Sequence, residues 1–528
     1  MKAYQLNFTG GSKMLRIEIR KKLRLLAFVG MAVMVLAACQ SPGRAQGEGE
    51  WVPSRVARVY DTDVLIVGGG GAGLASAVQL AQNGADFILI EKAAFLGGNS
   101  NFVEGMLAVG SRFQKEQGIE IRPRDIIYAE LLRNQFRPNG ALWVDLIQNS
   151  AENIEWLAEQ GVLFSGVIDD YYGGLFPTFH WFEGAAGGVA YVPAMQQRLI
   201  EHNAAIHLNT AARSLIVENG RVTGVFAETP GGAIRYNAKV VILASGGFGG
   251  SPELIRKKGW DTTDLRLAGM PLVSGDGYQM AMAAGAKDFM PHTAQSIIYH
   301  IEAFPFMTLE NALHPVIGYF GPASGGPVLW ANEDAARFAN EAIRTENLVL
   351  QSVPGKSNRA NYVIFDQAIY EEFFGINEEA RELFEEALAA NKGNSIFREH
   401  SIEALAGRFG LDPVTLRTTV SRYNQFAVRG EDGDFGKPAE FLVPIATPPF
   451  YIAQLRHKYY FSVGGITTNR QFQVVDKNMD PIPGLYAIGL DGNMLWRNVY
   501  TINMPGAAFA SQVNSGRTVA NHVLAYTR

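Results

Sequence analysis

The chain has 528 residues, more than one typical domain contains and enough to bury sizeable hydrophobic cores. It carries 46 Lys and Arg against 51 Asp and Glu, a formal net charge of −5. A mildly acidic chain of this kind argues against a nucleic-acid partner. Cys39 is the single cysteine. Disulfides, Cys-ligated metals, iron–sulfur clusters and a C-x-x-C-H haem site are therefore excluded, and no metal site is predicted.

Residues 1–38 are typical of a targeting segment. They hold seven Lys or Arg and one Glu, and they end in an apolar run, Leu25 to Ala38, that is too short for a comfortable membrane span. Cys39 follows at once, and the pattern resembles a bacterial lipoprotein signal with Cys39 as the lipidated residue. A short membrane anchor with an incidental cysteine is the alternative. Residues 39–56, rich in Gly, Ser and Pro, are predicted to be a flexible tether.

Removal of the signal segment has two expected consequences. Loss of seven cationic side chains and one anionic side chain takes the net charge from −5 to −11. The mature protein is expected to be exported and held at a bacterial membrane through its lipid, on the periplasmic or cell-surface side.

Residues 63–100 have the pattern of a nucleotide-binding unit. An apolar run is followed by G-x-G-x-x-G at Gly68, Gly70 and Gly73, by an Ala-rich helical pattern, and by a second apolar run that ends at Glu91. The glycines allow a tight turn and let a pyrophosphate approach the helix N-terminus, while the carboxylate accepts hydrogen bonds from a ribose. A glycine-rich turn without a ligand is the alternative, but the complete register favours nucleotide binding.

Further motifs identify a family. Gly97-Gly98-Asn99-Ser100 follows the second strand, and PGLYAIG (483–489) and GAAFASQVNSGR (506–517) lie near the C-terminus. Together they resemble the fumarate reductase and succinate dehydrogenase flavoprotein superfamily, which includes 3-ketosteroid dehydrogenases and urocanate reductases. The resemblance covers roughly residues 61–525 and implies FAD as cofactor. Some relatives attach FAD through a His in residues 63–100, where this chain has none, so non-covalent FAD is expected.

The resemblance implies an α/β fold in which a Rossmann-like FAD-binding domain carries an inserted α+β capping domain. The first part of the FAD domain is expected at residues 57–289, the capping and substrate domain at 290–445, and the second part of the FAD domain at 446–528. Residues 430–436 (GEDGDFG) resemble a segment of the cap, and their acidic side chains are expected to be solvated. A Ca²⁺ loop is the sharper alternative, but the EF-hand spacing is absent.

The expected FAD-binding residues lie in turns spread over the whole chain. They are Gly68, Gly70, Gly71, Ala72, Gly73, Glu91, Lys92, Gly98, Asn99, Ser100, Gly105, Ala212, Ala244, Gly246, Gly247, Asp276, Gly489, Asp491, Gly506 and Ala507. Asp276 belongs to a Ser-Gly-Asp-Gly segment that borders the flavin in the resembled family. The turn at Asn219-Gly220 predicts a β-hairpin that returns the chain to the FAD domain.

Residues 337–341 read R-F-A-N-E and resemble a family motif. In fumarate and urocanate reductases an Arg eight positions after the first Arg donates a proton to the substrate, whereas ketosteroid dehydrogenases have a Tyr there. Thr345 occupies that position here, and Arg344 precedes it by one residue. Arg344 is therefore a candidate proton donor, and a surface or substrate-orienting role is the alternative.

The carboxylate clamp of the dicarboxylate-reducing relatives is largely missing. They have His-His where this chain has Tyr460 and Phe461, and an Arg where it has Asn503. A clamp needs fixed cationic donors, so fumarate is not the expected substrate. Tyr460 and Tyr500 are candidate catalytic residues that hydrogen-bond a carbonyl or exchange a proton. Packing in the pocket wall is the alternative for each.

The predicted function is that of an FAD-dependent oxidoreductase that exchanges a hydride between flavin N5 and a carbon–carbon bond next to a carbonyl. It would act as an enone or enoate reductase, or as a CH–CH dehydrogenase, on a small unsaturated carbonyl compound. A second G-x-G-x-x-G unit is not visible in the sequence, so electrons are expected from an external quinone or redox protein. A non-catalytic flavin carrier or FAD-binding lipoprotein, and an assembly protein without cofactor, are the alternatives.

Overall fold

The computed structural model describes residues 51–171, 174–260, 265–304, 326–342, 354–375, 378–498, 500 and 504–527. The predicted lipoprotein signal, Cys39 and most of the tether lie outside these ranges, as do Arg344, Thr345 and Asn503. The roles assigned to those residues therefore stay predictions.

Strands and helices alternate through the first half of the chain. The strands are β1 (Arg58–Val67), β2 (Phe87–Ile90), β3 (Gly105–Leu107), β4 (Phe164–Asp169), β5 (Phe179–Phe182), β6 (Ala205–His207), β7 (Ala211–Glu218), β8 (Arg221–Thr229), β9 (Gly232–Leu243), β10 (Leu265–Leu267), β11 (Ala294–Ile301), β12 (Leu329–Asn332), β13 (Asn361–Asp366), β14 (Ile396–Glu399), β15 (Phe450–Val463), β16 (Gln473–Val475) and β17 (Pro481–Ala487). The α-helices are α1 (Gly71–Gln82), α2 (Arg112–Glu116), α3 (Pro123–Arg133), α4 (Gly140–Glu159), α5 (Gly187–Glu201), α6 (Pro252–Lys257), α7 (Asp276–Ala283), α8 (Gln367–Phe373), α9 (Glu378–Ala390), α10 (Ile402–Phe409), α11 (Pro413–Arg429) and α12 (Ala507–Thr527). Short 3₁₀ helices lie at Gly98–Phe102, Glu183–Ala185, Met290–His292, Pro354–Ser357, Lys392–Asn394 and Ala439–Phe441.

The largest sheet holds the nucleotide-binding unit. Its strand order is β16-β17-β9-β1-β2-β6, and β1 pairs in parallel with both β2 and β9. The apolar runs of β1 and β2 are buried, because helices cover the faces of such a sheet. α12 packs along α1, and an added Cβ at Gly516 would lie 2.5 Å from the carbonyl oxygen of Ala72. The predicted α/β fold is confirmed, with the two ends of the chain in one domain.

The predicted hairpin is also confirmed. β7 and β8 pair antiparallel around Asn219 and Gly220, which have φ angles of 51° and 75°. Positive φ at both central residues is the geometry of a type I′ turn, whose twist matches that of the flanking strands. The hairpin extends the large sheet through β9.

A second sheet, of order β10-β15-β13-β12, forms the cap, and β11 and β14 also pair with β15. The first residues of β15 pair with β13 and β14, and its later residues pair with β11. Its C-terminal end reaches the FAD domain, where an added Cβ at Gly249 would lie 3.3 Å from the Cα of Phe461. The domain boundaries at residues 290 and 446 stay predictions, and β15 is the strand that joins the two parts.

A buried ionic network fastens two segments of the cap. Arg337 donates to the carboxylates of Glu341 and Asp432, each at 2.8 Å, and its guanidinium lies between two aromatic rings. Lys437 lies 3.3 Å from Glu341 and donates to the carbonyl of Val328. Asp432 is 7% exposed, so the expectation of a solvated side chain is wrong at this position. Although burial alone would raise it, hydrogen bonds from Arg337 hold the pKa of Asp432 well below its usual range.

The substitution Glu341→Gln should lower the free energy of unfolding by about 3–5 kcal/mol, because two buried cations would then share one carboxylate. Urea-induced unfolding of the FAD-loaded protein measures the change. The matched control is Glu385→Gln, which removes one partner of an exposed ion pair with Arg398 and should cost less than about 1 kcal/mol. Equal losses in the two variants would contradict a stabilising role for the network.

Candidate functional site

A cleft of about 860 Å³ opens at the carboxyl ends of the parallel strands β1 and β2. Ligands of open α/β sheets bind at this edge. Segments from residue 67 to residue 512 line the cleft, so the fold brings together turns that are far apart in the chain. The expected FAD-binding residues on its wall are Gly68, Gly70, Gly71, Ala72, Glu91, Lys92, Gly98, Asn99, Ser100, Ala212, Ala244, Gly246, Asp276 and Gly489.

The turn before α1 suits a pyrophosphate. Gly68 has a φ of 109°, and an added Cβ there would lie 2.4 Å from the Ala244 carbonyl oxygen. Gly70 is the N-cap of α1, and no side chain caps this helix end. An added Cβ at Gly71 would lie 2.5 Å from the hydroxyl oxygen of Ser100. Backbone N–H groups and the positive end of the helix dipole therefore meet an open, side-chain-free cradle, as an anion requires.

Glu91 is oriented by backbone donors at the end of β2. Its two carboxylate oxygens accept hydrogen bonds from the N–H groups of Gly69, at 2.8 Å, and Ala93, at 2.7 Å. Burial raises the pKa of Glu91, and these two bonds oppose that rise. Each oxygen keeps a lone pair for a ribose hydroxyl. Beside it, the Lys92 ammonium donates to the carboxylate of Asp276 at 2.6 Å.

Other expected residues lie behind or beyond the cleft wall. Asp491 is 1% exposed, and its carboxylate accepts the backbone N–H groups of residues 245–247, which include Gly247. Gly73 faces the backbone of Gly68, with an added Cβ 2.0 Å from that carbonyl oxygen. These residues shape the turns from behind, and their contact with the cofactor stays a prediction.

Gly105, Gly506 and Ala507 lie where the N-terminus of α12 meets β3. An added Cβ at Gly506 would lie 2.5 Å from the backbone nitrogen of Leu107. At Gly105 it would lie 2.2 Å from the carbonyl oxygen of His180. The backbones are therefore in close contact at this point, which is beyond the wall of the cleft itself.

Sequence reasoning missed several lining residues. Gln512 on α12 accepts a hydrogen bond from the Ser100 hydroxyl at 3.2 Å, and its place within the C-terminal family motif was an available indication. Met270 donates its backbone N–H to the side-chain oxygen of Asn99 at 2.7 Å, a contact that no local motif announces. The remaining residues of this kind are Val67, Ile90, Ala93, Phe95, Gly97, Thr210, Ser245, Leu272, Val273 and Leu490.

Tyr460 lies next to the cleft. An added Cβ at Gly269 would lie 2.0 Å from the carbonyl oxygen of Tyr460 and 3.1 Å from the side-chain oxygen of Asn99. Burial raises the pKa of Tyr460, and the charge of Glu104 raises it further. The phenol of Tyr460 is therefore protonated at neutral pH.

Tyr500 belongs to an aromatic cluster. Its ring centroid lies 5.5 Å from that of Phe461 and 4.7 Å from that of Trp496. Burial raises the pKa of Tyr500, with a further contribution from the charge of Glu130. The fold thus brings both predicted tyrosines to β15 or its neighbours. Their part in catalysis stays a prediction.

Two searches of the described residues gave negative results. In those residues no group of three or more His, Cys, Asp or Glu side chains is placed to hold a metal ion. Within the same ranges, no helix combines the length and apolar character needed to cross a membrane. Residues 1–50 were outside both searches.

Comparison with known proteins gives a consistent result. Residues 63–497 match the family described as "FAD binding domain". The chain is 31% identical over 489 residues to a vinyl phenol reductase of Lactiplantibacillus plantarum, an alignment that covers 88% of this chain and 97% of the relative.

Two solved structures share the fold. The open conformation of a flavocytochrome c3 fumarate reductase has a TM-score of 0.66 and 23% identity, covering 92% of this chain and 84% of that one. A 3-ketosteroid-Δ4-(5α)-dehydrogenase from Rhodococcus jostii RHA1, in complex with 4-androstene-3,17-dione, has a TM-score of 0.69 and 20% identity, covering 89% and 98%. The uncapped helix, the oriented carboxylate and the empty cradle at Gly71 fit the pyrophosphate and ribose of FAD.

The substitution Glu91→Gln should weaken FAD binding about ten- to hundredfold, since an amide nitrogen would face a backbone N–H where a charged acceptor stood. Titration of the apoprotein with FAD, followed by quenching of flavin fluorescence, measures the affinity. Glu228→Gln, at an exposed pair with Arg213, is the control for loss of one negative charge. An FAD affinity equal to that of the control would contradict the assignment of Glu91.

Proposed function

Because the chain belongs to the FAD-binding domain family and is an FAD-dependent oxidoreductase, we propose that it reduces the carbon–carbon double bond of a small, uncharged aromatic alkene. A vinyl phenol is the preferred substrate. The relative of that name is matched over 97% of its length. The proposal takes the direction of reaction to be reduction.

One observation of this chain's own residues carries the proposal. The charge that acts on the Tyr460 hydroxyl is the negative charge of Glu104, at a position where dicarboxylate-reducing relatives have a His. A dicarboxylate placed here would meet repulsion and lose its hydration. Aromatic rings, including the pair Phe461 and Tyr500, instead favour a flat apolar substrate.

The chemistry divides between cofactor and protein. Bound FAD in its reduced state supplies a hydride to one carbon of the double bond. The protein has to hold the alkene and supply a proton to the other carbon. The protonated phenols of Tyr460 and Tyr500 meet that need, and Arg344, outside the described residues, stays a candidate for the same role.

A reoxidation experiment tests the proposal. The FAD-loaded protein is reduced with dithionite and mixed without oxygen with 4-vinylphenol, an enone or fumarate, and flavin absorbance is followed near about 450 nm. We expect rapid reoxidation by 4-vinylphenol and none above free reduced FAD by fumarate. Reoxidation by fumarate alone would overturn the substrate class, and reoxidation by none of the compounds would favour a non-catalytic flavin carrier.

We propose further that residues 1–38 are a lipoprotein signal and that the exported protein is attached to a bacterial membrane through Cys39. The cationic segment, the short apolar run and the cysteine directly after it support this. Electrons would reach the flavin from a membrane quinone or a redox protein, since the sequence carries one nucleotide-binding motif.

The substitution Cys39→Ser should move the protein out of the membrane fraction of expressing cells and abolish labelling by a fatty-acid analogue, because the thiol is the acylation site. Fractionation and in-gel detection of the label measure both effects. Ser41→Ala is the neighbouring control and should behave as the wild type. Unchanged membrane association and labelling in Cys39→Ser would contradict lipidation at this residue.

A further inference from the structure

Glu104 is fixed at the mouth of the third sheet, in which β3, β5 and β4 lie side by side. Its backbone carbonyl accepts the N–H of Phe182 at 2.9 Å. The next residues, Met106 and Leu107, touch Gly506 at the start of α12. Glu104 therefore stands beside the helix that closes the FAD domain, next to the end of the cleft at which Tyr460 lies.

One oxygen of the Glu104 carboxylate is occupied. Oε2 accepts a short hydrogen bond from the Tyr171 hydroxyl. Asp169 holds Tyr171 in place through its backbone N–H at 2.9 Å, and the Tyr171 ring lies 4.5 Å from that of Phe179 and 5.5 Å from that of Trp181. Trp181 in turn donates its indole N–H to Asp169 at 2.8 Å. The carboxylate is thus held by an ordered aromatic wall.

The other oxygen of Glu104, Oε1, makes no hydrogen bond to any residue in the described ranges. Three groups from the elements around the carboxylate act on it: Tyr171 and Asp169 from the segment between β4 and β5, and Tyr460 from β15. Burial raises the pKa of Glu104 to about 7, the Tyr171 bond lowers it, and Asp169 raises it. The carboxylate is therefore able to gain or lose a proton near neutral pH.

We propose that Glu104 accepts the proton of the substrate's phenolic hydroxyl through Oε1, and so selects phenols over other aromatic alkenes. This inference rests on the proposed function. Tyr171 is the positioning residue that keeps the carboxylate in place. A hydroxyl donor is the ligand chemistry that an unfilled carboxylate oxygen recognises, and an ether or a carboxylate offers no such donor.

The proton transfer also assists reduction. As the O–H bond breaks and the proton passes to Oε1, an electron pair moves from the oxygen through the ring to the terminal vinyl carbon. That carbon takes a proton, which leaves the benzylic carbon electron-poor and able to accept a hydride from the reduced flavin. When the hydride arrives, the ring electrons return to the oxygen and the proton moves back from Glu104. The net change is one hydride and one proton added to the alkene.

The substitution Glu104→Gln tests the proposal by removing the charge at nearly constant shape. For 4-vinylphenol we expect kcat/KM to fall about ten- to hundredfold, the value of one hydrogen bond to a charged group. For 4-vinylanisole, which lacks the hydroxyl proton, the wild type should already be poor and the variant no worse. Glu116→Gln, an exposed carboxylate on the surface, is the matched control.

Binding of the product analogue 4-ethylphenol to the oxidised protein gives a readout independent of turnover. The carboxylate accepts the phenol hydrogen only when ionised, so wild-type affinity should rise as pH increases through about 7 and be lost below it. Glu104→Gln should show no such dependence. Tyr171→Phe should move the midpoint to higher pH, because the Tyr171 bond lowers the pKa of Glu104.

The outcomes separate the two proposals. If the wild type reduces 4-vinylphenol and 4-vinylanisole with equal kcat/KM and Glu104→Gln changes neither, the role of Glu104 is overturned while the proposed function stands. If the wild type neither reduces 4-vinylphenol nor binds 4-ethylphenol, both fail. If Glu104→Gln loses FAD or unfolds, the pH midpoint of Tyr171→Phe decides: an upward shift supports the proposal, and an unchanged midpoint overturns it.

Discussion

The FAD site depends on the buried carboxylate of Asp491. It accepts the backbone N–H groups of Gly246, at 3.2 Å, and Gly247, at 2.9 Å, together with the N–H and hydroxyl of Ser245. Burial raises the pKa of Asp491, and these bonds oppose the rise. Without the carboxylate, the N–H groups of a turn with two positive φ angles would be buried without partners. The wall of the cleft therefore exists only when residues about 245 positions apart have come together, across the whole inserted cap.

The cap is tied to the same site by β15. This strand begins among the cap strands and ends beside Gly249, so Tyr460 and Phe461 enter the FAD domain on a strand whose other end is anchored in the cap. The network of Arg337, Glu341 and Asp432 makes the cap a rigid support, because each buried charge there has a partner. Substrate-side aromatic residues are in this way positioned by cap packing and by the nucleotide domain together.

Features with local patterns could be predicted from the sequence, and features made by distant contacts could not. The strand–turn–helix–strand unit and the Asn219-Gly220 hairpin depend on periodicity and turn chemistry, which neighbouring residues determine. Asp432 was misjudged because its partner, Arg337, lies 95 positions away. Gln512 meets Ser100 across 412 positions, so no window of sequence contains the contact. Glu104 sits beside Gly105, which was expected to touch the cofactor, but its pairing with Tyr171 becomes visible only in three dimensions.

The substrate end shows how a shared fold accommodates a different ligand. Asp169 receives hydrogen bonds from Trp181 and from the backbone of Tyr171, whereas Glu104 receives one at a single oxygen. Of the two neighbouring carboxylates, Glu104 is therefore the one with capacity for a further donor. A site that ends in cationic donors binds an anionic acceptor, and a site that ends in an unfilled carboxylate binds a neutral donor. Reversing the hydrogen-bonding polarity at this one point changes the substrate class, while the glycine turns and the Asp491 contacts that hold the flavin stay as they are.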